Sequence, residues 1–382
     1  MKDLILLHSQ HRKNPQRRHL LLSVALTPHK NEELLIIPDK GGQELLIINY
    51  HYRYMLYPVL KVIVRLAARI FCRKIIINNP AMLKEKGPLI LACSHPNSFL
   101  DAVLMDILFE QPVWSLTRGD AFLNKRITRL FYKLKMLPVY RPSEGVENLS
   151  ENYKTFDACV ELFKRDQVVL IFSEGLCANE WHLRSLKKGT ARLAYKCQQE
   201  NIPLKILPVG INYSSFKRFG KNLFVNFGNI FTANDLDKNL SDGAWNQVFN
   251  NTLQQELRPL VFEIEKKDKA KQKELLEIKP SLLTKLLLAI PAVIGWVTHV
   301  PFYLPIKYWV FKKYNETVHI DSMLIVVSLF TYPFYLLLIT FLLFITFNTY
   351  WVLLLLIILP FTAWSYVQLK GQLDRFDKKA LV

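Results

Sequence analysis

The chain has 382 residues, 51% of them hydrophobic, and its 50 Lys and Arg against 32 Asp and Glu give a formal net charge of +18. That length holds one catalytic domain with appendages, and so apolar a composition excludes a disordered polar chain. The positive excess calls for an acidic counterpart, either anionic lipid headgroups or a phosphate-bearing or acidic carrier. Nucleic acid is set aside, because the cations are dispersed and no recognition motif occurs.

Residues 1–54 carry scattered apolar patches and a basic run from His11 to Arg18, without signal-peptide architecture, and are expected to form a weakly ordered N-terminal extension. From 55 to 74 the pattern is helical. Lys61, Arg65, Arg69 and Arg73 recur four apart on an otherwise apolar segment, which predicts one basic stripe. That suits a helix lying in a membrane interface; a helix packed on the domain with a solvated stripe is the other reading. Residues 75–260 alternate β-like and helical runs, the pattern of an α/β domain with a largely parallel sheet flanked by helices. Five cysteines, Cys72, Cys93, Cys159, Cys177 and Cys197, show no C-x-x-C spacing and read as reduced thiols, with no metal site and no disulfide frame.

Four segments in this region carry chemistry. Pro88 to Cys93 reads as a buried strand, and His95 leaves it with Asp101 about one helical turn later. Imidazole takes a proton from a hydroxyl near neutral pH, and a carboxylate on its other nitrogen fixes the tautomer. Ser98-x-x-Asp101 also reads as a helix capping box. Arg141 closes the strand-like run from Leu137 and offers a planar fork that fits a phosphate, or is a surface arginine. Glu174-Gly175 ends the apolar run Gln167 to Phe172, where glycine admits a close approach and glutamate accepts from a polyol hydroxyl; an ordinary turn is the alternative. Lys187 precedes a helical pattern from Thr190, so it can bring a point charge to a phosphate at that helix start. Pro208 to Ile211 reads as the last core strand.

Residues 261–281, charged from Glu263 to Lys279, are expected to be an exposed helix or linker. Residues 282–382 form a C-terminal membrane region. Met323 to Phe347 is long enough to span, Trp351 to Val367 is about the minimum, and three residues separate them, which predicts a transmembrane hairpin over 323–367. Lys307, Lys312 and Lys313 precede it and Lys370, Arg375, Lys378 and Lys379 follow, so the positive-inside rule puts both ends, and the catalytic domain, in the cytoplasm of an integral cell-membrane protein. The run 286–305 is too short and proline-rich to read as a span, which leaves a re-entrant or interfacial segment as the other reading.

Taken together and in order, the four segments resemble the motif blocks of the glycerolipid acyltransferases, which include glycerol-3-phosphate and lysophosphatidic acid acyltransferases, over roughly residues 55–230. The five residues between His95 and Asp101 resemble the longer-spaced branch of that family. The resemblance implies the glycerolipid acyltransferase fold and transfer of a fatty acyl group to a hydroxyl of a glycerol-phosphate-type acceptor in phospholipid biosynthesis. Acyl-CoA or acyl carrier protein would be the co-substrate, with no cofactor. It makes His95 the base and Asp101 its orienter, with Arg141, Glu174, Gly175 and Lys187 binding substrate and amides near Gly175 meeting the oxyanion. Cys93, close to His95, reads as a packed apolar residue and not as an acyl-accepting nucleophile. Family members commonly continue Glu-Gly with Thr-Arg-Ser; here Leu176-Cys177-Ala178-Asn179 follows, which passes the phosphate clamp to Arg184 or Lys187. A non-phosphate lyso-lipid acceptor, or a non-catalytic lipid-binding protein, are the alternatives.

Overall fold

The computed structural model describes residues 35–38, 44–47, 56–122, 124–140, 151–315 and 317–374. Inside the extension expected to be weakly ordered, β1 (Leu35–Pro38) and β2 (Glu44–Ile47) pair antiparallel; the rest of 1–54 lies outside the described residues. Next come α1 (Leu56–Phe71), β3 (Cys72–Ile77), β4 (Leu89–Cys93), α2 (Ser98–Leu108), β5 (Val113–Arg118), α3 (Lys125–Lys133), β6 (Met136–Val139), α4 (Glu151–Phe163), β7 (Val168–Phe172), α5 (Lys188–Gln199) and β8 (Lys205–Tyr213). The sheet continues past Pro208–Ile211, through β9 (Lys221–Phe227) and β10 (Phe231–Thr232).

Among the described residues the sheet has eight strands in the order β3-β9-β8-β4-β7-β5-β6, with β10 beside β8. Pairing is parallel except where β9 and β10 meet β8. Parallel neighbours need crossovers, and α2 to α5 supply them. The central strands β4 and β7 are apolar runs buried almost throughout, as strands covered on both faces must be. Cys93 stands opposite both Phe172 and Val209, and Arg118 opposite Val139, so the carboxyl ends of β4 to β8 share one edge. In open α/β sheets that edge is where ligands bind.

Helix α1 is tied to the domain by two cations of its stripe. Lys61 donates to the Gln111 carbonyl (3.3 Å) with Asp106 at 3.6 Å, and Arg65 donates to the Ile107 carbonyl in the last turn of α2 (2.8 Å). Helix C-termini carry orphan carbonyls and a partial negative charge, which recruits these cations. Lys61 is thereby drawn toward the domain, whereas Arg65 and Arg69 stay exposed alongside Val62, Ile63 and Leu66. Arg73 belongs to β3, outside the helix.

After β10 come α6 (Asp242–Leu257) and α7 (Lys269–Leu276). Leu276 and Gln272 are buried and Leu276 accepts from Asn222 Nδ2 (2.9 Å), so the segment read as an exposed helix or linker is packed on the domain. Three more helices follow, α8 (Leu282–Tyr314), α9 (Ile320–Phe347) and α10 (Leu355–Leu369). Helix α8 runs unbroken through Pro291, Pro301 and Pro305, so the stretch read as too short to span lies within 33 helical residues. Among the described residues three segments are long and apolar enough to cross a membrane: Leu282–Tyr314, Ile320–Phe347 and Tyr350–Leu369. Asn348, left-handed at φ 45°, ends α9 and turns the chain toward α10.

Strand β8 passes so close to the 258–260 turn that a Cβ on Gly210 would stand 2.4 Å from the Leu260 carbonyl oxygen. Gly210→Ala is expected to destabilise the domain by about 1–3 kcal/mol, the usual cost of overpacking a core. Thermal unfolding of the purified variant checks this; an unchanged midpoint would mean the turn gives way freely.

Candidate active site

Strand β4 carries the chain to the ligand edge and its pairing persists to the residue before His95. Ser94 donates its amide to Val209 (3.0 Å) and its Oγ accepts from the Ile211 amide (2.9 Å). Asp101, in the first turn of α2, is fully buried. Its Oδ2 lies 2.9 Å from His95 Nδ1 and accepts from the Asn97 amide (2.7 Å), while Oδ1 accepts from the Tyr213 hydroxyl (2.7 Å). The tautomer that suits this pair has Nδ1 donating to the carboxyl oxygen and Nε2 presenting a lone pair. Asn97, not Ser98, is the N-cap residue, and Asp101 closes on its amide. Capping and orienting the histidine are thus one arrangement.

The imidazole is stacked on the Phe172 ring with centroids 3.7 Å apart and planes at 10°. Glu174, at the end of β7, accepts from the His95 amide (3.2 Å). Its carboxyl is pushed up to about 7, chiefly by burial, with the His95 amide and the nearby Arg184 guanidinium pulling the other way. Gly175 adopts φ +69°, and a Cβ there would lie 2.9 Å from Lys187 Cγ. Lys187 is the N-cap residue of α5; its amide donates to the Ser173 carbonyl (2.8 Å) and its side chain is exposed. His95, Asp101, Glu174, Gly175 and Lys187 therefore gather at the ends of β4 and β7. Arg141 lies outside the described residues. The Gly175 amide is already committed to the Phe172 carbonyl (3.0 Å), which leaves it no proton to point at an oxyanion.

Other contacts had no signal in the motif spacing. The residues that depart from the family pattern support the histidine loop: Ala178 donates to the His95 carbonyl (3.2 Å), Asn179 Nδ2 to the Pro96 carbonyl (2.8 Å), and the Ser98 amide to Cys177 Sγ (2.8 Å). Ser98 is itself left-handed, at φ 53°. Tyr213 lies two residues beyond the fourth segment and the alternation of β8 points it at Asp101. From the far end of the chain, His319 Nδ1 meets Ser98 Oγ (2.5 Å) and Asp321 meets Asn97 (2.8 Å). Cys93 is fully buried, and desolvation first and Asp101 second push its thiol well above the usual range, which removes it as a nucleophile.

Residues 74–212 match the family model described as Acyltransferase. Among curated proteins none matches the sequence. One similar solved structure is that of the 1-acyl-sn-glycerophosphate (LPA) acyltransferase PlsC from Thermotoga maritima, 14% identical, with a TM-score of 0.39 over 55% of this chain and 81% of that one.

Glu174 makes a pH prediction. Its folded pKa of about 7 exceeds the ordinary 4.5, so the folded state holds this proton more tightly than the unfolded one. The stability it contributes is complete below about 4.5 and lost as pH rises through about 7. Glu174→Gln keeps an acceptor for the His95 amide without the charge. Its stability relative to wild type should rise across that window and level off above it, as read by thermal unfolding at a series of pH values; a constant difference would mean Glu174 titrates normally.

Proposed function

We propose that the chain, whose residues 74–212 match the acyltransferase family model, is a membrane-bound O-acyltransferase. It transfers a fatty acyl group from acyl-CoA or acyl carrier protein to a hydroxyl of a glycerol-phosphate-type acceptor. The observation that carries this reading is the His95–Asp101 pair, with Nδ1 held at 2.9 Å and Nε2 left to act. Nε2 takes the acceptor's hydroxyl proton while that oxygen bonds to the thioester carbonyl carbon. The tetrahedral adduct then collapses, the carbon–sulfur bond breaks, and the imidazolium returns its proton to the departing thiolate. The buried Asp101 carboxylate stabilises the transient imidazolium. Lys187, Arg184 and Arg141 supply cations for the acceptor's phosphate, and Glu174 a group that bonds its hydroxyls.

The apolar helices support a site at the bilayer surface. Each buried methylene favours the lipid by about 0.8 kcal/mol, so acyl substrate and product partition there. Both ends of the α9–α10 hairpin are bonded to the domain, Asp321 to Asn97 (2.8 Å) and the Gln368 carbonyl to Arg73 Nε (2.7 Å). With the basic flanks this supports a domain on the cytoplasmic side, with Asn348 across the membrane.

Membranes containing the protein, given labelled acyl-CoA or acyl carrier protein and a panel of acceptors, test the activity. His95→Ala is expected to abolish transfer and Asp101→Asn to lower kcat by about two or more orders of magnitude. Lys187→Ala should weaken the acceptor more than the donor. A folded His95→Ala protein with normal rates would defeat the mechanism, and turnover of phosphate-free lyso-lipids alone would reassign the acceptor.

For the topology, single cysteines at positions 348 and 379 in a cysteine-free background can be probed on sealed cells with an impermeant thiol reagent. Label should appear at 348 only. Reaction at 379 would require another path for the chain through the bilayer.

A further inference from the structure

Two buried groups lie outside the catalytic pair and yet reach it. Asp321, in the first turn of α9, and Lys221, the first residue of β9, are both fully inaccessible and form an ion pair. The same oxygen, Asp321 Oδ2, also accepts from Asn97 Nδ2 (2.8 Å). Asn97 is the residue whose amide donates to Asp101. A second route runs through Lys221, whose ammonium lies 5.6 Å from the centre of the Tyr213 ring, and the Tyr213 hydroxyl donates to the other Asp101 oxygen. Two residues before Asp321, His319 meets Ser98. The start of a long apolar helix thus touches the loop 97–98 twice, and reaches one Asp101 oxygen through Asn97 and the other through Lys221 and Tyr213 in turn.

A buried ion pair is a poor way to gain stability, because desolvating both charges offsets most of their attraction, and apolar packing serves as well or better. What the charges supply here is direction. Asp321 anchors the side chain of Asn97, the residue whose backbone amide donates to Asp101.

We propose that Asp321 is a positioning residue of the active site, acting through Asn97, so that the first turn of α9 is part of the catalytic machinery as well as of the membrane anchor. This rests on the acyl-transfer reading only for its kinetic consequence; the geometric part stands apart from it.

Three variants test it: Asp321→Asn, Asn97→Ala, and Lys221→Met combined with Asp321→Leu. Each is measured for kcat, for the acyl-donor KM, for thermal stability, and for hydrogen exchange of the peptide covering 94–101. Asp321→Asn and Asn97→Ala should lose about 10- to 100-fold in kcat, the scale of a misplaced catalytic group, with donor KM little changed. Exchange over 94–101 should rise while the body of α9 stays protected. The uncharged double variant leaves no buried charge unpaired and should regain stability, but it offers Asn97 no acceptor, so kcat should stay low. A double variant with restored kcat would reduce the pair to a structural role and overturn the proposal. So would an Asn97→Ala protein with normal kcat and normal exchange. If Asp321→Asn does not accumulate, the other two variants decide. If the wild-type protein acylates nothing, the functional reading falls and the exchange of 94–101 still judges the positioning.

Discussion

A carboxyl group with no access to water has to find its hydrogen-bond partners within the protein, and Asp101 is such a group. Its three partners are the His95 ring, the Asn97 amide and the Tyr213 hydroxyl. The first two sit on the loop leaving β4 and the third ends β8, so the arrangement exists only if these strands are adjacent and parallel, as their register from Leu89–Lys205 to Cys93–Val209 makes them. The other neighbour of β4 is β7, which supplies the Phe172 ring beneath the imidazole and the Glu174 carboxylate behind its amide. The middle of the sheet order, β8-β4-β7, and the geometry of the site are one fact.

Holding that loop takes more than a sheet. Ser98 is in a left-handed conformation that a residue with a side chain adopts only when its surroundings impose it. The surroundings are the segment after Gly175, whose Cys177, Ala178 and Asn179 bond to Ser98, His95 and Pro96. Residues that break the family's usual continuation after Glu-Gly have a structural task here. The segment that departs from the usual continuation is the one that braces the loop carrying His95.

The pattern of alternating strands and helices made the parallel domain readable, since buried parallel strands are continuous apolar runs. The histidine and aspartate were readable because one helical turn links them. The glutamate–glycine pair and Lys187 followed for a similar reason, each lying where an apolar run meets a helix. What escaped was set by distance along the chain: Asp321 is 224 residues from Asn97, and no local period connects them. The direction of the α1 stripe escaped for another reason. Spacing four apart tells which residues share a face, but not which of them reach the carbonyls near the end of α2, as Lys61 and Arg65 do, and which stay in the open, as Arg69 does. In α8 three prolines argued for breaks, yet the helix absorbs them.

The bonding of two α1 cations to carbonyls of the domain changes what the charge of this chain means. A formal +18 counts every lysine and arginine alike, but a lipid surface meets only those that point at it, and Lys61 and Arg65 are committed to the protein's own oxygens. What α1 offers outward is Val62, Ile63 and Leu66, with Arg65 and Arg69 beside them. The outward face of this helix is therefore more apolar than the spacing of its cations suggests, and apolar contact, unlike ionic contact, is not screened by salt.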